Sequence, residues 1–424
     1  MYKIYLDVYG CSNNISEAEV MLGLLQNAGF KIVKHAKNSN LVIISLCSVK
    51  GDSKPLKIVR DYLLLNKKII VAGCLNKDLI KEIKELNSNI SFVSTHNIKN
   101  IVKAVKSAIN DEPQEYLYYS NPIKINLPKV RKNKLISIIP ISQGCLNECT
   151  YCSVRLIKGK LKSYSKEKII HEVKTSLNQN CKEVWITSQD TANYQTETNQ
   201  KSQLVNLLQK IIKTKGDFKI RIGMMNPQYI LPILDELIEL YKNDKIYKFL
   251  HIPVQSGSDK ILKLMKRNYS KEDYIKIISK FKQEIPEITI STDIIVGFPQ
   301  ETEEDFNQSI TLIKETKPNI LNLSRFIPRK GTLAATYKQI PSWQIKERSK
   351  KLNKIFTEQA LENNKDWLGW FGEILINELG KNNTFIGRNY AYKPIIIANK
   401  VKLGSKAKVK INKVTCHDFR SELT

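Results

Sequence analysis

The chain has 424 residues, of which 42% are hydrophobic and 26% are charged, so it is long enough for two or three domains with packed cores. The chain has 68 Lys and Arg residues against 41 Asp and Glu residues, which gives a net charge of +27. Such a surplus indicates a polyanionic partner, usually nucleic acid. The alternative is that the lysines are spread over the surface without forming a binding site. The sequence contains no run of 18 apolar residues that could span a membrane. Eight cysteines without an export signal argue against a disulfide framework and for metal binding or catalysis.

Residues 1–110 alternate between apolar strand-like runs and helical patterns, which predicts an open parallel sheet with flanking helices. Three of the runs, residues 4–9, 41–46 and 68–72, are each followed within two residues by a cysteine, namely Cys11, Cys47 and Cys74. Ligands gather beyond the carboxyl ends of the strands in such sheets, so we expect the three cysteines at one edge. One cysteine at a strand end is usually a small buried hydrophobe, whereas three in one sheet indicate a site.

Residues 111–134 are rich in Pro, Asn and Lys and lack periodicity, which is typical of a linker. A second alternating series occupies residues 135–368 and predicts a partial, open (β/α)6 barrel that ends in a long polar helix at about 342–368. The predicted strands of this series are residues 135–141, 183–187, 218–222, 248–254, 287–296 and 319–326.

Residues 369–424 contain short β-like runs at 372–377, 384–387, 394–398 and 407–414, which predict a small β-barrel of a kind that often binds nucleic acid. Its lysines, Lys408 among them, are candidates for contacts with an RNA backbone, and Phe385, Tyr390 and Tyr392 are candidates for stacking on bases. The competing interpretation is that alternating lysines mark the solvent face of a strand.

The strongest local signal is a loop with Cys145, Cys149 and Cys152 directly after the first strand of the second series. Three thiolates suit a 4Fe–4S cluster with one open iron, which can chelate S-adenosylmethionine and deliver one electron to its sulfonium. The alternative is a zinc site or plain buried cysteines, but zinc normally needs a fourth ligand at short range and no histidine follows before His171. Cys181 and Cys416 fit neither trio.

These motifs resemble the radical S-adenosylmethionine methylthiotransferase family over nearly the whole chain. The order of an N-terminal methylthiotransferase domain (1–110), a radical domain (135–368) and a C-terminal TRAM domain (369–424) fits that family. The stretch 186–191 is most similar to the archaeal and eukaryotic branch, which acts on N6-threonylcarbamoyladenosine beside the tRNA anticodon. The resemblance is carried by residues 9–14, 47–50, 72–75, 144–152, 186–191, 251–257 and 297–302.

The resemblance implies conversion of N6-threonylcarbamoyladenosine at position 37 of tRNA to its 2-methylthio derivative, with two 4Fe–4S clusters held by the two cysteine trios and S-adenosylmethionine used twice. Gln189 and Asp190 follow the second strand of the barrel and are expected to hold polar groups of the cofactor, unless they only cap a turn. The turn Gly297, Phe298 and Pro299 is expected to approach the adenosyl moiety.

Arg325 and Arg329 flank the end of the sixth strand and are expected to meet a carboxylate or phosphate of the RNA, unless they are solvated surface residues. The expected partners are the tRNA anticodon stem-loop and an electron-donor protein, and we expect a cytoplasmic monomer without membrane contact. Two alternatives stay open: methylthiolation of a ribosomal protein side chain, and a non-catalytic zinc-stabilised RNA-binding protein.

Overall fold

The computed structural model describes residues 1–50, 55–120 and 122–424, and these residues form three bodies in chain order. We call them the N-terminal sheet (3–116), the central barrel (136–325) and the C-terminal barrel (371–423). The α/β class and all three predicted architectures are confirmed. Asn121, within the predicted linker, lies outside the described residues.

The N-terminal sheet has six parallel strands in the order β2-β1-β3-β4-β5-β6. The two central strands, β3 and β4, are apolar runs that bury both faces, with helices α1 and α4 on one side and α2 and α3 on the other. The strands are β1 (Lys3–Val8), β2 (Lys31–Ile32), β3 (Leu41–Cys47), β4 (Lys68–Cys74), β5 (Ser91–Ser94) and β6 (Glu115–Tyr116). The helices are α1 (Ser12–Asn27), α2 (Pro55–Leu63), α3 (Lys77–Leu86) and α4 (Ile101–Ile109).

The central barrel consists of two three-stranded parallel sheets that a backbone bridge between Ile220 and Ile246 joins into one open series of six strands. These strands are β7 (Ile136–Pro140), β10 (Glu183–Thr187), β11 (Lys219–Ile222), β12 (Phe249–His251), β13 (Thr289–Val296) and β14 (Ile320–Arg325), and a hairpin of β8 (Ser142–Gln143) and β9 (Lys162–Ser163) follows β7. The helices are α5 (Val154–Lys158), α6 (Lys166–Asn178), α7 (Leu204–Ile212), α8 (Pro227–Ile230), α9 (Leu234–Tyr241), α10 (Asp259–Leu264), α11 (Lys271–Glu284) and α12 (Glu303–Thr316).

A long helix, α13 (Ser342–Lys365), follows the last strand of the central barrel as predicted. It buries Ile345, Leu352, Phe356 and Ala360, which recur at helical spacing and join the core of the central barrel. The helix therefore covers the open side of the barrel next to β14.

The C-terminal barrel is closed by five strands, one more than the sequence predicts. The additional strand, β19, has the mixed sequence Phe-Arg-Ser-Glu-Leu, whose polar residues hide its period-two pattern. On β18 the lysines Lys406, Lys408 and Lys410 are exposed while Val409 and Ile411 are buried. The strands are β15 (Phe371–Leu379), β16 (Phe385–Arg388), β17 (Pro394–Ile397), β18 (Lys406–Val414) and β19 (Phe419–Leu423).

The predicted linker is packed between the N-terminal sheet and the central barrel instead of being free. It supplies β6, and it buries Lys124 and Ile125. Its backbone is also bonded to both bodies, because Val130 N donates to Glu19 O and Asn126 N donates to the Glu172 carboxylate. The absence of periodicity reflects an irregular backbone and not a lack of structure.

The two ends of the central barrel face different bodies. At the amino ends of its strands, Lys248 N donates to Tyr390 O at 2.8 Å and Thr289 Oγ1 donates to Ala391 O at 2.7 Å, so the C-terminal barrel covers this end. At the carboxyl ends, Ser12 Oγ lies 2.8 Å from Thr187 Oγ1. Helix α1 of the N-terminal sheet therefore packs against the end of the barrel where parallel strands place their ligands.

Gly144, at the start of the cysteine loop, is a position that only glycine fits. Its φ is +75°, and a Cβ there would lie 2.1 Å from Lys160 O. We expect Gly144→Ala to destabilise the central barrel by about 3 kcal/mol or more, since a positive φ alone costs roughly 1–2 kcal/mol and the clash adds to it. Differential scanning calorimetry checks this.

Gly29 is the matched control because its φ is +87° and a methyl group added there would have open space within 4 Å. Gly29→Ala should lower the free energy of unfolding only by the cost of placing alanine at a positive φ, roughly 1–2 kcal/mol. Equal losses in the two variants would contradict the steric role of Gly144.

Candidate functional site

The N-terminal trio, Cys11, Cys47 and Cys74, lies together at the carboxyl edge of the N-terminal sheet. Cys47 and Cys74 end β3 and β4 and are partners in register. Cys11 follows β1 and immediately precedes α1, whose N-terminal amides favour a negative sulfur. The Asn14 side-chain oxygen lies 3.3 Å from Cys11 Sγ and 3.9 Å from Cys74 Sγ, so one amide touches two of the sulfurs.

The central trio, Cys145, Cys149 and Cys152, lies on a loop that its neighbours hold in place. Thr150 is bonded through its N to Met265 O at 3.1 Å and through its hydroxyl to Leu264 O at 2.9 Å. Two side chains donate to the sulfurs: Arg267 Nη1 is 3.4 Å from Cys149 Sγ, and Asn147 Nδ2 is 3.5 Å from Cys145 Sγ. Donors of this kind stabilise thiolate sulfur in a metal site.

Asp190 is buried next to the central trio and is fully engaged. Its carboxylate accepts hydrogen bonds from Asn147 Nδ2 at 3.0 Å, Ala192 N at 3.1 Å and Asn226 N at 3.1 Å. Burial raises the pKa of Asp190 to about 6. The residue thus orients Asn147 toward Cys145 and caps the turn after β10, while its neighbour Gln189 is half-buried.

The predicted cofactor turn of Gly297, Phe298 and Pro299 packs behind the cysteine loop. The Phe298 ring is fully buried and meets the ring of Tyr151 edge-on, with centroids 6.5 Å apart. Gly297 N donates to the Glu301 carboxylate at 2.8 Å. The Phe298 side chain therefore supports the loop between Cys149 and Cys152, and the backbone of the turn is the part that remains for a cofactor.

A single short helix connects the two trios. Helix α5 begins two residues after Cys152, and its Ile157 packs against Cys47 and Cys74. The next residue, Lys158, is 2% exposed and is hydrogen-bonded to the Cys74 sulfur. Because five helical residues span roughly 7 Å, the two trios are neighbours across the junction of the N-terminal sheet and the central barrel.

At this junction the buried carboxylate of Glu17 forms ion pairs with two buried lysines. Glu17 Oε1 accepts hydrogen bonds from Lys124 Nζ at 2.7 Å and from Thr95 Oγ1 at 2.7 Å, and Lys158 Nζ lies 3.5 Å away. Burial alone would raise the pKa of Glu17, but the two ammonium groups hold it at about 2. Two cations against one carboxylate leave one buried positive charge, which the sulfurs of Cys74 and Cys11 can balance as anions.

The donor chemistry of both trios fits an iron–sulfur cluster. Burial and the neighbouring Asp190 raise the pKa of Cys145 to about 12, and the hydrogen bond with Cys47, together with burial, raises the pKa of Cys74. Such crowded thiols become thiolates only when a metal cation offsets their charge. Within the described ranges, no three Cys, His, Asp or Glu side chains converge on one metal ion, whereas a cluster presents several irons to its cysteines.

The structure separates the two arginines that the sequence predicts for RNA. Arg329 Nη1 donates to Tyr151 O at 3.2 Å, which places it against the central trio. Arg325 is exposed at the end of β14 and lies beside Lys346 and Lys350 of α13. Only Arg329 therefore adjoins the cysteine loop.

Two of the predicted stacking aromatics are used in packing. The Tyr392 ring lies 4.7 Å from Tyr247 and 5.1 Å from Phe249 by centroid, between the two barrels, and Tyr390 is hydrogen-bonded to Glu287. A spacing of aromatics along a sequence does not reveal which face they take, and here the turn after β16 places Tyr392 between the two barrels and Tyr390 beside Trp367 and Trp370. Phe385 is half-buried against the barrel core, and Lys408 is exposed on β18.

Sequence reasoning missed the residues that surround the sulfurs. Asn14 follows Cys11 by three positions, a spacing that places it in the same helical turn, and Asn147 lies inside the cysteine loop. Lys124, Lys158 and Arg267 carry no local signal, because basic residues are common throughout this chain.

Three family matches agree with these three bodies. Residues 139–313 match the Radical SAM superfamily, residues 372–424 match the TRAM domain, and residues 3–95 match a family described as uncharacterised, UPF0004. Among solved structures, the chain is similar to the radical S-adenosylmethionine methyltransferase TsrM from Kitasatospora setae, determined with cobalamin and a [4Fe-4S] cluster. The TM-score is 0.56 at 12% identity, with 79% of this chain and 77% of that chain covered, so the likeness is one of fold.

Within the described residues, no helix combines the length and apolarity needed to cross a membrane. A relative from Pyrococcus horikoshii, named probable threonylcarbamoyladenosine tRNA methylthiotransferase, is 40% identical over 405 residues, which is 94% of each chain. The human threonylcarbamoyladenosine tRNA methylthiotransferase is 33% identical over 432 residues, covering 99% of this chain and 74% of the human protein. Identity of this extent across all three bodies shows that the chain belongs to the threonylcarbamoyladenosine tRNA methylthiotransferase family.

Proposed function

We propose that the protein replaces the C2 hydrogen of N6-threonylcarbamoyladenosine, at position 37 beside the tRNA anticodon, with a methylthio group. The observation that carries this proposal is the meeting of two cysteine trios across α5, since the reaction needs a radical source and a sulfur source at one base. The C2–H bond is not acidic and C2 carries no leaving group, so acid–base catalysis by side chains would not suffice.

S-adenosylmethionine and an iron–sulfur cluster are the cofactors that the radical domain implies. We assign the cluster and S-adenosylmethionine to Cys145, Cys149 and Cys152, and a second 4Fe–4S cluster to Cys11, Cys47 and Cys74. When bound, these groups supply a carbon radical and a methylated sulfur, which polar side chains cannot provide. A 4Fe–4S cluster held by only three cysteines would have one iron available for a non-protein ligand.

The chain's own residues position and shield these groups. Arg267 and Asn147 donate hydrogen bonds to the central sulfurs, and Asp190 fixes Asn147. The buried ring of Phe298 and the half-buried ring of Tyr151 pack together behind the loop and limit the access of water there. Gln189 and the Gly297–Pro299 backbone remain our candidates for S-adenosylmethionine contacts.

The substrate is tRNA, as the TRAM domain and the named relatives support. The exposed lysines of β18, including Lys408, would hold the RNA backbone, and Arg329 would meet the RNA next to the central trio. We further propose a cytoplasmic monomer that receives electrons from a donor protein. The comparisons favour neither a ribosomal protein substrate nor a zinc-stabilised RNA-binding protein.

The assignment of two clusters predicts a division of labour between the trios. Anaerobically purified protein should hold about eight irons, and Cys11/Cys47/Cys74→Ala should hold about four while still cleaving S-adenosylmethionine. Mass spectrometry of nucleosides from a strain with this variant should show N6-threonylcarbamoyladenosine without its 2-methylthio derivative.

Cys181→Ala is the control, since Cys181 is buried before the amino end of β10 and its sulfur donates a hydrogen bond to Lys134 O. It should keep full iron content and activity. Iron that stays near eight in the triple variant would refute the second cluster.

Lys158 should set the reduction potential of the N-terminal cluster. Lys158→Met removes the positive charge beside Cys74 but leaves Glu17 paired with Lys124, so the protein should fold. At an effective dielectric constant of about 20, a unit charge roughly 6 Å away contributes about 2–3 kcal/mol, so the potential should fall by about 100 mV. Potentiometric electron paramagnetic resonance measures this.

Lys158→Arg keeps the charge and should keep the potential, and Lys160→Met removes an exposed charge two residues away and should change it little. An unchanged potential in Lys158→Met would show that the lysine has only a packing role.

A further inference from the structure

A cavity of about 480 Å³ lies between the central barrel and the C-terminal barrel, and its lining includes Cys416 but none of the cysteines of the two trios. One wall is the inner face of β12–β14, with His251, Ser291 and Asn322. The opposite wall comes from the turn between β16 and β17 and from the turn before β19, with Lys393 and His417. Its volume is in the range of pockets that bind small organic groups.

The cavity is lined by cations without a matching anion. Arg221, Arg388 and Lys393 all line it, and none of its lining side chains, all within the described residues, is acidic. A carboxylate beside this wall, on Asp293 of β13, is held by His251 Nε2 at 3.1 Å and by Asn322. Glu378 reaches Arg388 only at 4.0 Å and is half-exposed.

Lys393 is the most unusual of these residues. It is 4% exposed, and its ammonium group lies over two ring faces, 5.4 Å from the Trp367 centroid and 5.6 Å from the Phe419 centroid. Burial lowers its pKa to about 8, with no carboxylate to oppose the change among the described residues. Buried lysines are normally paired, because an unpaired buried charge costs several kcal/mol.

The two arginines are only partly satisfied: Arg388 Nη1 donates to Tyr392 O at 3.4 Å, and its ion pair with Glu378 is long. The Arg221 guanidinium lies 5.0 Å from the ring centroids of both Trp185 and Phe249, and it forms no ion pair with another described residue. The Nε atoms of Arg221 and Arg388 are buried without a hydrogen-bond partner in the described part of the chain. Three cations thus share a cavity in which a bound anion would satisfy them.

The cavity lies beneath the central trio in the same barrel. The carbonyl of His251, in its wall, accepts a hydrogen bond from Met225 N at 2.9 Å, and the next residue, Asn226, donates to Asp190. Asp190 in turn holds Asn147 against Cys145. A chain of hydrogen bonds within the central barrel therefore links the wall of the cavity to the cysteine loop.

We infer that this cavity binds an anionic oxygen group of the substrate RNA through Arg221, Arg388 and Lys393. The inference rests on the proposed function, which supplies two sources of that chemistry. One is the carboxylate of the threonylcarbamoyl group on the adenine, and the other is a backbone phosphate close to it. Guanidinium groups bind either of them bidentately.

The test compares binding of two synthetic anticodon stem-loops, one with N6-threonylcarbamoyladenosine at position 37 and one with adenosine there. The holoenzyme, Lys393→Met and the control Lys408→Met are measured by fluorescence anisotropy at fixed salt. In Lys393→Met we expect about tenfold or greater loss of affinity for the modified RNA. Lys408, exposed on the outer face of β18, should affect both RNAs equally.

Comparison of the two RNAs distinguishes the threonyl carboxylate from a backbone phosphate as the bound group. Loss confined to the modified RNA assigns the cavity to the threonyl carboxylate, and an equal loss for both RNAs that exceeds the Lys408→Met effect assigns it to a phosphate. Wild-type affinity for both RNAs in Lys393→Met overturns the inference. A wild-type protein that binds neither RNA overturns the proposed function as well, so the two failures are distinguishable.

Folding of the variant is checked independently. Because Lys393 is an unpaired buried cation, Lys393→Met should raise the melting temperature of the RNA-free protein. Arg388→Gln, at a partly exposed position, is the second variant and should weaken binding in the same direction. A normal melting temperature with unchanged RNA affinity in both variants would leave the cavity without a ligand role.

Discussion

The buried ion cluster of Glu17, Lys124 and Lys158 is the interaction on which the arrangement of the site depends. It draws one residue from the N-terminal sheet, one from the packed segment that follows it and one from the helix after the central trio. A buried pair of this kind gives little net stability, but loss of Glu17 would leave two buried cations uncompensated and would cost about 3–5 kcal/mol, so the three segments are held in one geometry. The excess cation then faces the sulfur of Cys74.

This arrangement makes the two cysteine trios a single unit. Only Ser153 separates Cys152 from the short helix α5, which ends at Lys158, so the position of the central loop and that of the cation at the N-terminal trio are coupled. Thr150 anchors the same loop to the end of α10, and Tyr151 packs against the buried ring of Phe298. The loop is therefore held on both sides, which fixes the distance at which a base would lie from each trio. Enzymes use such supports to hold a bound substrate in the orientation needed for reaction.

The sequence predicted those features that depend on local patterns. Apolar runs predicted the parallel strands, and because strand ends share an edge, the positions of Cys11, Cys47 and Cys74 predicted that they would lie together. The sequence could not predict that Lys158 and Lys393 are buried, because the burial of a lysine depends on which elements pack around it. No local sequence pattern indicates that packing. Tyr392 shows the same limit, since its aromatic character was evident but its position between two barrels was not.

Unbalanced positive charge recurs at both ends of the central barrel. At the carboxyl end the surplus ammonium of Lys158 faces thiols that a metal would convert to anions, and at the amino end Lys393 and two arginines face an open cavity. Surface lysines attract RNA without selecting a group on it, whereas cations that have lost their water select the anion that can reach them. Under our proposal, the cations of this chain, whose net charge is +27, therefore act in two ways: exposed lysines attract the RNA over a distance, and a few desolvated cations bind particular anionic groups on it.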